Sequence, residues 1–124
     1  MFEQFVHILK KALAIELPGK NFQYRMAPSV RLSASSFSNL QEAGVLLCMY
    51  PDGNQINTIF IRRPDYQGHH GGQVSLPGGK RDKTDNSLVH TALREAEEEV
   101  NLDSVAVIGT LTPLFIPVSG FYVL

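Results

Sequence analysis

Four glutamates, Glu95, Glu97, Glu98 and Glu99, crowd the stretch Leu93-Arg94-Glu95-Ala96-Glu97-Glu98-Glu99-Val100. At about 100° per residue from Val89, the apolar positions Ala92, Leu93, Ala96 and Val100 stay within about 60° of zero. Glu98 falls at about 180°, Glu95 at about 240° and Glu99 at about 280°, whereas Glu97 falls at about 80°, beside the edge of the apolar stripe. Three acids therefore share one helical face and the fourth points elsewhere.

Like charges four residues apart repel, and the second half of a helix favours cations over anions. Arg94 can answer part of that charge by pairing with Glu98 one turn on. The plain reading is a solvated acidic face. The chemical reading is a site for a hard divalent cation, since carboxylate oxygens suit Mg²⁺ or Ca²⁺, and Mg²⁺ is commonly shared with substrate phosphates. Pro77-Gly78-Gly79, shortly before the helix, lets backbone approach closely, so a carbonyl there could complete a shell begun by Glu95, Glu98 and Glu99. The chain lacks zinc-type Cys/His spacing, the EF-hand loop and the Gly-Lys-Ser/Thr ending of a P-loop.

The elements that must carry these residues follow from periodicity. Phe2, Phe5, Val6, Leu9, Ala12 and Leu13 predict an amphipathic helix ending near residue 17, closed by Pro18-Gly19. Its polar face is only weakly basic, which favours packing on its own domain over a membrane surface. Residues 20–42, with Pro28 and Ser33, Ser35, Ser36 and Ser38, read as loop and short extended pieces. Ala43–Tyr50 and Gln55–Arg63 read as two strands around the turn Pro51-Asp52-Gly53-Asn54. Pro64–Gly79 is glycine-rich and reads as a long loop interrupted by Gln73–Leu76. A helix follows over Asp85–Val100, with Asp85 or Asn86 as N-cap, and then two strands, Val105–Thr110 and Leu111–Val118, joined or kinked near Thr112-Pro113.

At 124 residues and a formal charge of −1, the chain has the size of one domain and no global charge to grip nucleic acid or an anionic membrane. Its one cysteine, Cys48, lies in an apolar run and cannot form a disulfide within the chain. The N-terminus lacks the apolar core of a signal peptide and the length of a membrane span, so the expected location is the cytoplasm.

Pro77-Gly78-Gly79 followed by Arg94-Glu95-Ala96-Glu97-Glu98-Glu99-Val100-Asn101-Leu102 resembles the signature of the Nudix hydrolase family: a glycine, a spacer, then Arg-Glu-aliphatic-x-Glu-Glu-x-Gly-aliphatic. Asn101 replaces the closing glycine, Gly79 lies one residue farther from Arg94 than usual, and Asn86 stands where an early glutamate is typical. Asn tolerates the left-handed cap that glycine normally supplies. A narrower likeness runs through LPGKNFQYRMAP (17–28), IFIRRPDYQGHHGGQVSLPGGKRDKTD (59–85) and TALREAEEEVNL (91–102), which are similar to the branch that includes coenzyme A pyrophosphatases. Pro64, Gln67 and Gly68 depart from that branch, where Ser, Leu and Arg are typical.

The resemblance implies an α+β fold, a Nudix-type α/β/α sandwich with a mixed β-sheet, as a single domain over 1–124 with its core at 43–124 and its signature box at 78–102. Family members usually continue through further strands and another helix, so the short stretch from Asp103 to Leu124 implies a domain lacking the C-terminal strands and helix. A partial sheet of this kind can pair with a second copy as a homodimer. The implied activity is hydrolysis of a nucleoside diphosphate linked to another group, coenzyme A or a related nucleotide, using Mg²⁺ or Mn²⁺. Glu95, Glu98 and Glu99, with a carbonyl at Gly79, carry over as metal ligands, and one of these acids, or a carboxylate elsewhere, helps to deprotonate the attacking water. Arg94 carries over as the residue that holds Glu98. Substrate contacts fall to Arg63, His70, Tyr66 and Gln73; strand alternation sends Arg62 and Arg63 to opposite faces, so at most one of them reaches the substrate. A nucleotide- or partner-binding module without turnover is the alternative.

Overall fold

The computed structural model describes residues 1–27, 39–65, 71–117 and 119–124. Among them, three helices, α1 (Phe2–Leu13), α2 (Gly19–Arg25) and α3 (Leu88–Val100), accompany eight short strands. These are β1 (Gln41–Val45), β2 (Met49–Asp52), β3 (Gln55–Thr58), β4 (Ile61–Arg62), β5 (Val74–Ser75), β6 (Gly78–Lys80), β7 (Leu114–Ile116) and β8 (Phe121–Val123). The class is α+β, as expected.

A four-stranded mixed sheet runs β6-β1-β8-β7, with β1 antiparallel to β6, parallel to β8, and β7 antiparallel to β8. Two separate two-stranded sheets, β2-β3 and β4-β5, are antiparallel. The helix α3 lies across β1 and β6. Its approach depends on Gly44, where a Cβ would collide with the Leu88 carbonyl and the Ala92 amide of α3 itself. Its buried residues are Thr91, Ala92 and Ala96, small side chains that let the backbones come close.

Several elements differ from the expected ones. The first helix ends at Leu13 rather than near residue 17, with the Ala14 amide closing its last turn on the Lys10 and Lys11 carbonyls. Within the stretch read as loop, Gly19–Arg25 forms α2 behind the helix-compatible φ of Pro18, −57°, and Gln23 Nε2 ties it to the Thr112 and Pro113 carbonyls at 3.0 and 3.3 Å. Pro28 and the serine cluster lie outside the described residues. Each expected strand around Gly53 is split in two, because the chain changes partners: Leu46 N–H already bonds the Pro77 carbonyl beside β6, whereas Met49–Thr58 pairs only as a hairpin. Pro77-Gly78-Gly79 leads into an edge strand rather than a loop. Gly78, at φ 156°, has no room for a Cβ against Gly44 and Val45.

Ser87, not Asp85 or Asn86, caps α3, its Oγ accepting from the His90 amide at 3.1 Å. Asn101 takes the left-handed conformation at the other end, φ 55°. Val105–Thr110 is not a strand; Gly109 lets this segment lie against Leu13 of α1. The strand expected over Leu111–Val118 contracts to Leu114–Ile116, after Pro113 has removed a ladder donor. Among the described residues the buried apolar side chains are Ala43, Pro77, Ala92 and Ala96, and an apolar cavity of about 1060 Å³ is lined by residues of α1, α3 and the 105–112 segment.

Gly44→Ala should destabilise the fold by about 1–3 kcal/mol, the usual cost of overpacking, because both colliding atoms are backbone. Gly53→Ala, in a turn with no atom near its Cβ, should cost only about 1 kcal/mol for its left-handed φ. Urea denaturation of the two variants measures this; equal losses would mean that helix–sheet contact does not require the glycine.

Candidate functional site

The acidic face of α3 is turned toward β6. Glu99 Oε2 accepts a hydrogen bond from Gly78 N at 2.8 Å. The Glu95 carboxylate fills the space where Gly79 would carry a Cβ. Glu98 is reached through Arg94, whose Nη1 lies 3.3 Å from both Glu98 oxygens and 3.0 Å from Glu95 Oε1. Glu97 is exposed and stands apart from this arrangement, as its helical angle predicts.

Arg94 is itself held by a residue that the sequence pattern marks only as a cap candidate. Asp85 receives Arg94 Nε on Oδ1 and Nη2 on Oδ2, both at 3.0 Å, a two-toothed pairing that fixes the guanidinium plane. Its Oδ2 also accepts from Thr91 Oγ1 and from Asp82 N, each at 2.9 Å. The Asp85 side chain has no exposed surface, so a charge there must be paired and hydrogen-bonded to be tolerated. The Arg94 hydrogen bonds, with those from Asp82 and Thr91, outweigh desolvation and hold this carboxyl well below the usual carboxylate range. In return Asp85, then Glu95 and Glu98, raise the Arg94 guanidinium above its ordinary value. A further Arg94 bond, Nη2 to the Lys80 carbonyl at 3.2 Å, fastens the helix to β6.

A signal for Asp85 was present in the sequence. The one-residue displacement of Gly79 relative to Arg94, applied also to the early acidic position, moves that position from Asn86 to Asp85.

Arg63 and Gln73 are brought together, with Arg63 N donating to the Gln73 carbonyl at 2.9 Å beside the β4-β5 pair. Arg63 is half-buried while Arg62 is exposed and lies 3.9 Å from Asp65, in keeping with their opposite faces. Tyr66 and His70 lie outside the described residues.

The donor set, three carboxylates beside a glycine backbone, has the hard-oxygen chemistry that suits a divalent cation. It is not a closed cage as it stands. Among the described residues no three His, Cys, Asp or Glu side chains are gathered closely enough to hold an ion, and Arg94 Nη1 contacts both Glu95 and Glu98. Glu98 keeps 59% of its side chain exposed while it contacts Arg94.

The NUDIX domain family model matches residues 40–122, which include the whole of this helix and strand pair. The chain belongs to the Nudix family. Among curated proteins, one from Pectobacterium atrosepticum called "Uncharacterized Nudix hydrolase NudL" is 42% identical over 104 residues, 82% of this chain and 51% of that protein. Proteins of the same name from Yersinia enterocolitica and Yersinia pestis are 53% identical over 58 residues, 45% of this chain and 30% and 29% of theirs. The chain thus spans about half, or less, of the length of these Nudix relatives. No helix among the described residues is long and apolar enough to cross a membrane.

Asp85→Asn should loosen Arg94 and misalign Glu95 and Glu98. Because the folded-state pKa of Asp85 is depressed, the folded chain binds its proton more weakly than the unfolded one. Its contribution to stability is complete above the ordinary value of 3.8 and is lost as pH falls below it toward the folded value. Thermal melts from pH 7 to pH 2 should show the native chain more stable than Asp85→Asn at neutral pH, with the gap closing in acid. A gap independent of pH would remove the charge from this account.

Proposed function

We propose that this Nudix chain takes part in metal-dependent hydrolysis of a nucleoside diphosphate linked to another group, with coenzyme A or a related pyrophosphate-containing nucleotide as substrate and Mg²⁺ or Mn²⁺ as cofactor. The observation that carries the reading is the alignment of Glu95 and Glu99 against Gly78-Gly79 with Arg94 locked behind them. The hydrolase name of the relatives supports the reaction class.

Glu95, Glu98 and Glu99, with a carbonyl at Gly79, are the residues proposed to hold the cation. When bound, such an ion neutralises the diphosphate and acidifies water. The chain's own groups do the rest. Arg94 keeps Glu95 and Glu98 side by side, and a carboxylate of the trio, or one elsewhere, takes the proton of the attacking water. Water oxygen bonds to one phosphorus as the bridging P–O bond breaks, leaving two phosphomonoesters. Arg63, His70, Tyr66 and Gln73 are the proposed substrate contacts, and the proposed location is cytoplasmic. The domain is proposed to span 1–124 with its core at 43–124, and pairing with a second copy is proposed through the sheet edge.

Binding without turnover is the second reading, favoured by the Arg94 contact to both Glu95 and Glu98. Incubating the chain with coenzyme A, ADP-ribose and NADH, with and without Mg²⁺, separates the two. Hydrolysis should require the metal, and Glu98→Gln should reduce it by about 10–100-fold or more with the fold intact by circular dichroism. Activity that survives EDTA would sink the metal mechanism.

A further inference from the structure

The start of α3 is closed by a reciprocal cap with an uncommon second half. Ser87 Oγ accepts from the His90 amide at 3.1 Å. Three residues after such a serine, a glutamate or glutamine commonly reaches back to an amide ahead of the helix. Here His90 does so, its Nδ1 accepting from the Asn86 amide at 3.3 Å. A carboxylate or amide oxygen accepts throughout the neutral range. An imidazole nitrogen accepts only while it is unprotonated, and imidazole is the side chain that changes charge near neutrality.

The same nitrogen stands 3.9 Å from Asp85 Oδ1, the oxygen that takes Arg94 Nε at 3.0 Å. His90 keeps 48% of its side chain exposed, so protons reach it from solvent. The charged groups of the elements that meet here are Asp82, Lys83 and Asp85 in the turn, Arg94 and Glu97 farther along α3, and Glu42, Lys80 and Arg81 from β1, β6 and the residue after it. Arg81 is committed to Glu42 at 2.7 Å. Hydrogen bonds from Thr84 lower the Asp82 carboxyl, and those from Arg94 lower the Asp85 carboxyl, so both stay ionised near neutrality. Carboxylate, ammonium and guanidinium groups ordinarily keep their charge between about pH 5.5 and about pH 8. The imidazole is the group that changes. Protonation turns Nδ1 from acceptor into donor, so the Asn86 amide loses its partner and a cation faces an oxygen already given to Arg94.

We propose that His90 is a proton-controlled positioning residue. Unprotonated, it closes the cap and leaves Asp85 Oδ1 to Arg94. Protonated, it releases the Asn86 amide and draws Asp85 Oδ1 away from Arg94 Nε, slackening the guanidinium that holds Glu95 and Glu98. Its test reads Arg94 directly and needs no turnover, so it stands or falls separately from the hydrolase reading. Proton–nitrogen correlation spectra of the full chain follow the Asn86 amide, Arg94 Nε and the His90 ring from about pH 8 to about pH 5.5. The Asn86 and Arg94 signals should move with the midpoint of the His90 ring. Protection of the Asn86 amide against solvent exchange should fall about fivefold across that interval, as expected for losing one neutral hydrogen bond. His90→Gln keeps an acceptor that cannot titrate, so both signals should stay flat and the protection should persist in acid. His90→Ala should lack the protection at either pH. The native titration alone decides the matter if a variant misfolds: an Arg94 Nε signal that stays fixed while His90 titrates would overturn the proposal. So would the same Arg94 midpoint in His90→Gln, which would place the titrating group elsewhere.

Discussion

The buried pairing of Asp85 with Arg94 is the constraint on which the site depends. A carboxylate without solvent is tolerated only when its oxygens are filled, and here they take the guanidinium edge, the Thr91 hydroxyl and the Asp82 amide. With that edge of Arg94 committed, Nη1 remains to meet Glu95 and Glu98. The acids are therefore oriented from behind by a residue that need not touch a ligand. Arg81, bonded to the Asp85 carbonyl and to Glu42, braces the turn from the other side.

This arrangement needs α3 to lie close on the sheet, and glycine provides the clearance. Gly44 admits the helix backbone, Gly78 fits beside Val45 of the paired strand β1, and Gly79 makes room for the Glu95 carboxylate. The missing Cβ atoms of Gly44 and Gly79 thus set the depth of the helix and the distance of its acids from the β6 backbone, while that of Gly78 lets β6 sit close to β1. The small side chains Ala92 and Ala96 face the same contact. Tight packing is concentrated there, while the apolar cavity beside α1 leaves the other flank of α3 loosely covered.

Membership of the Nudix family and the α+β class agree with what the helix and glycine motifs suggested. The Pectobacterium relative shares the part of the chain that holds these motifs, and this chain spans about half or less of the length of the relatives. What the shared part contributes is the electrostatic scaffold. Its acids and its paired arginine are described in full, whereas the proposed substrate contacts at Tyr66 and His70 lie outside the described residues.

Residue types and helical period by themselves determined the acidic face, the exclusion of Glu97 from it, the left-handed Asn101 cap and the hairpin at Gly53, because each is a local property of a few consecutive residues. Tertiary structure decided the rest. A single apolar run cannot reveal that its strand changes partner, so Ala43–Tyr50 and Gln55–Arg63 each became two strands, and Val105–Thr110 became none. Nor could local pattern distinguish Asp85 as a helix cap from Asp85 as the anchor of Arg94, since Ser87 offers the cap equally well in sequence. Only the burial of that carboxylate between the turn and α3 settles the matter, for it is loss of solvent that obliges an aspartate to find its arginine.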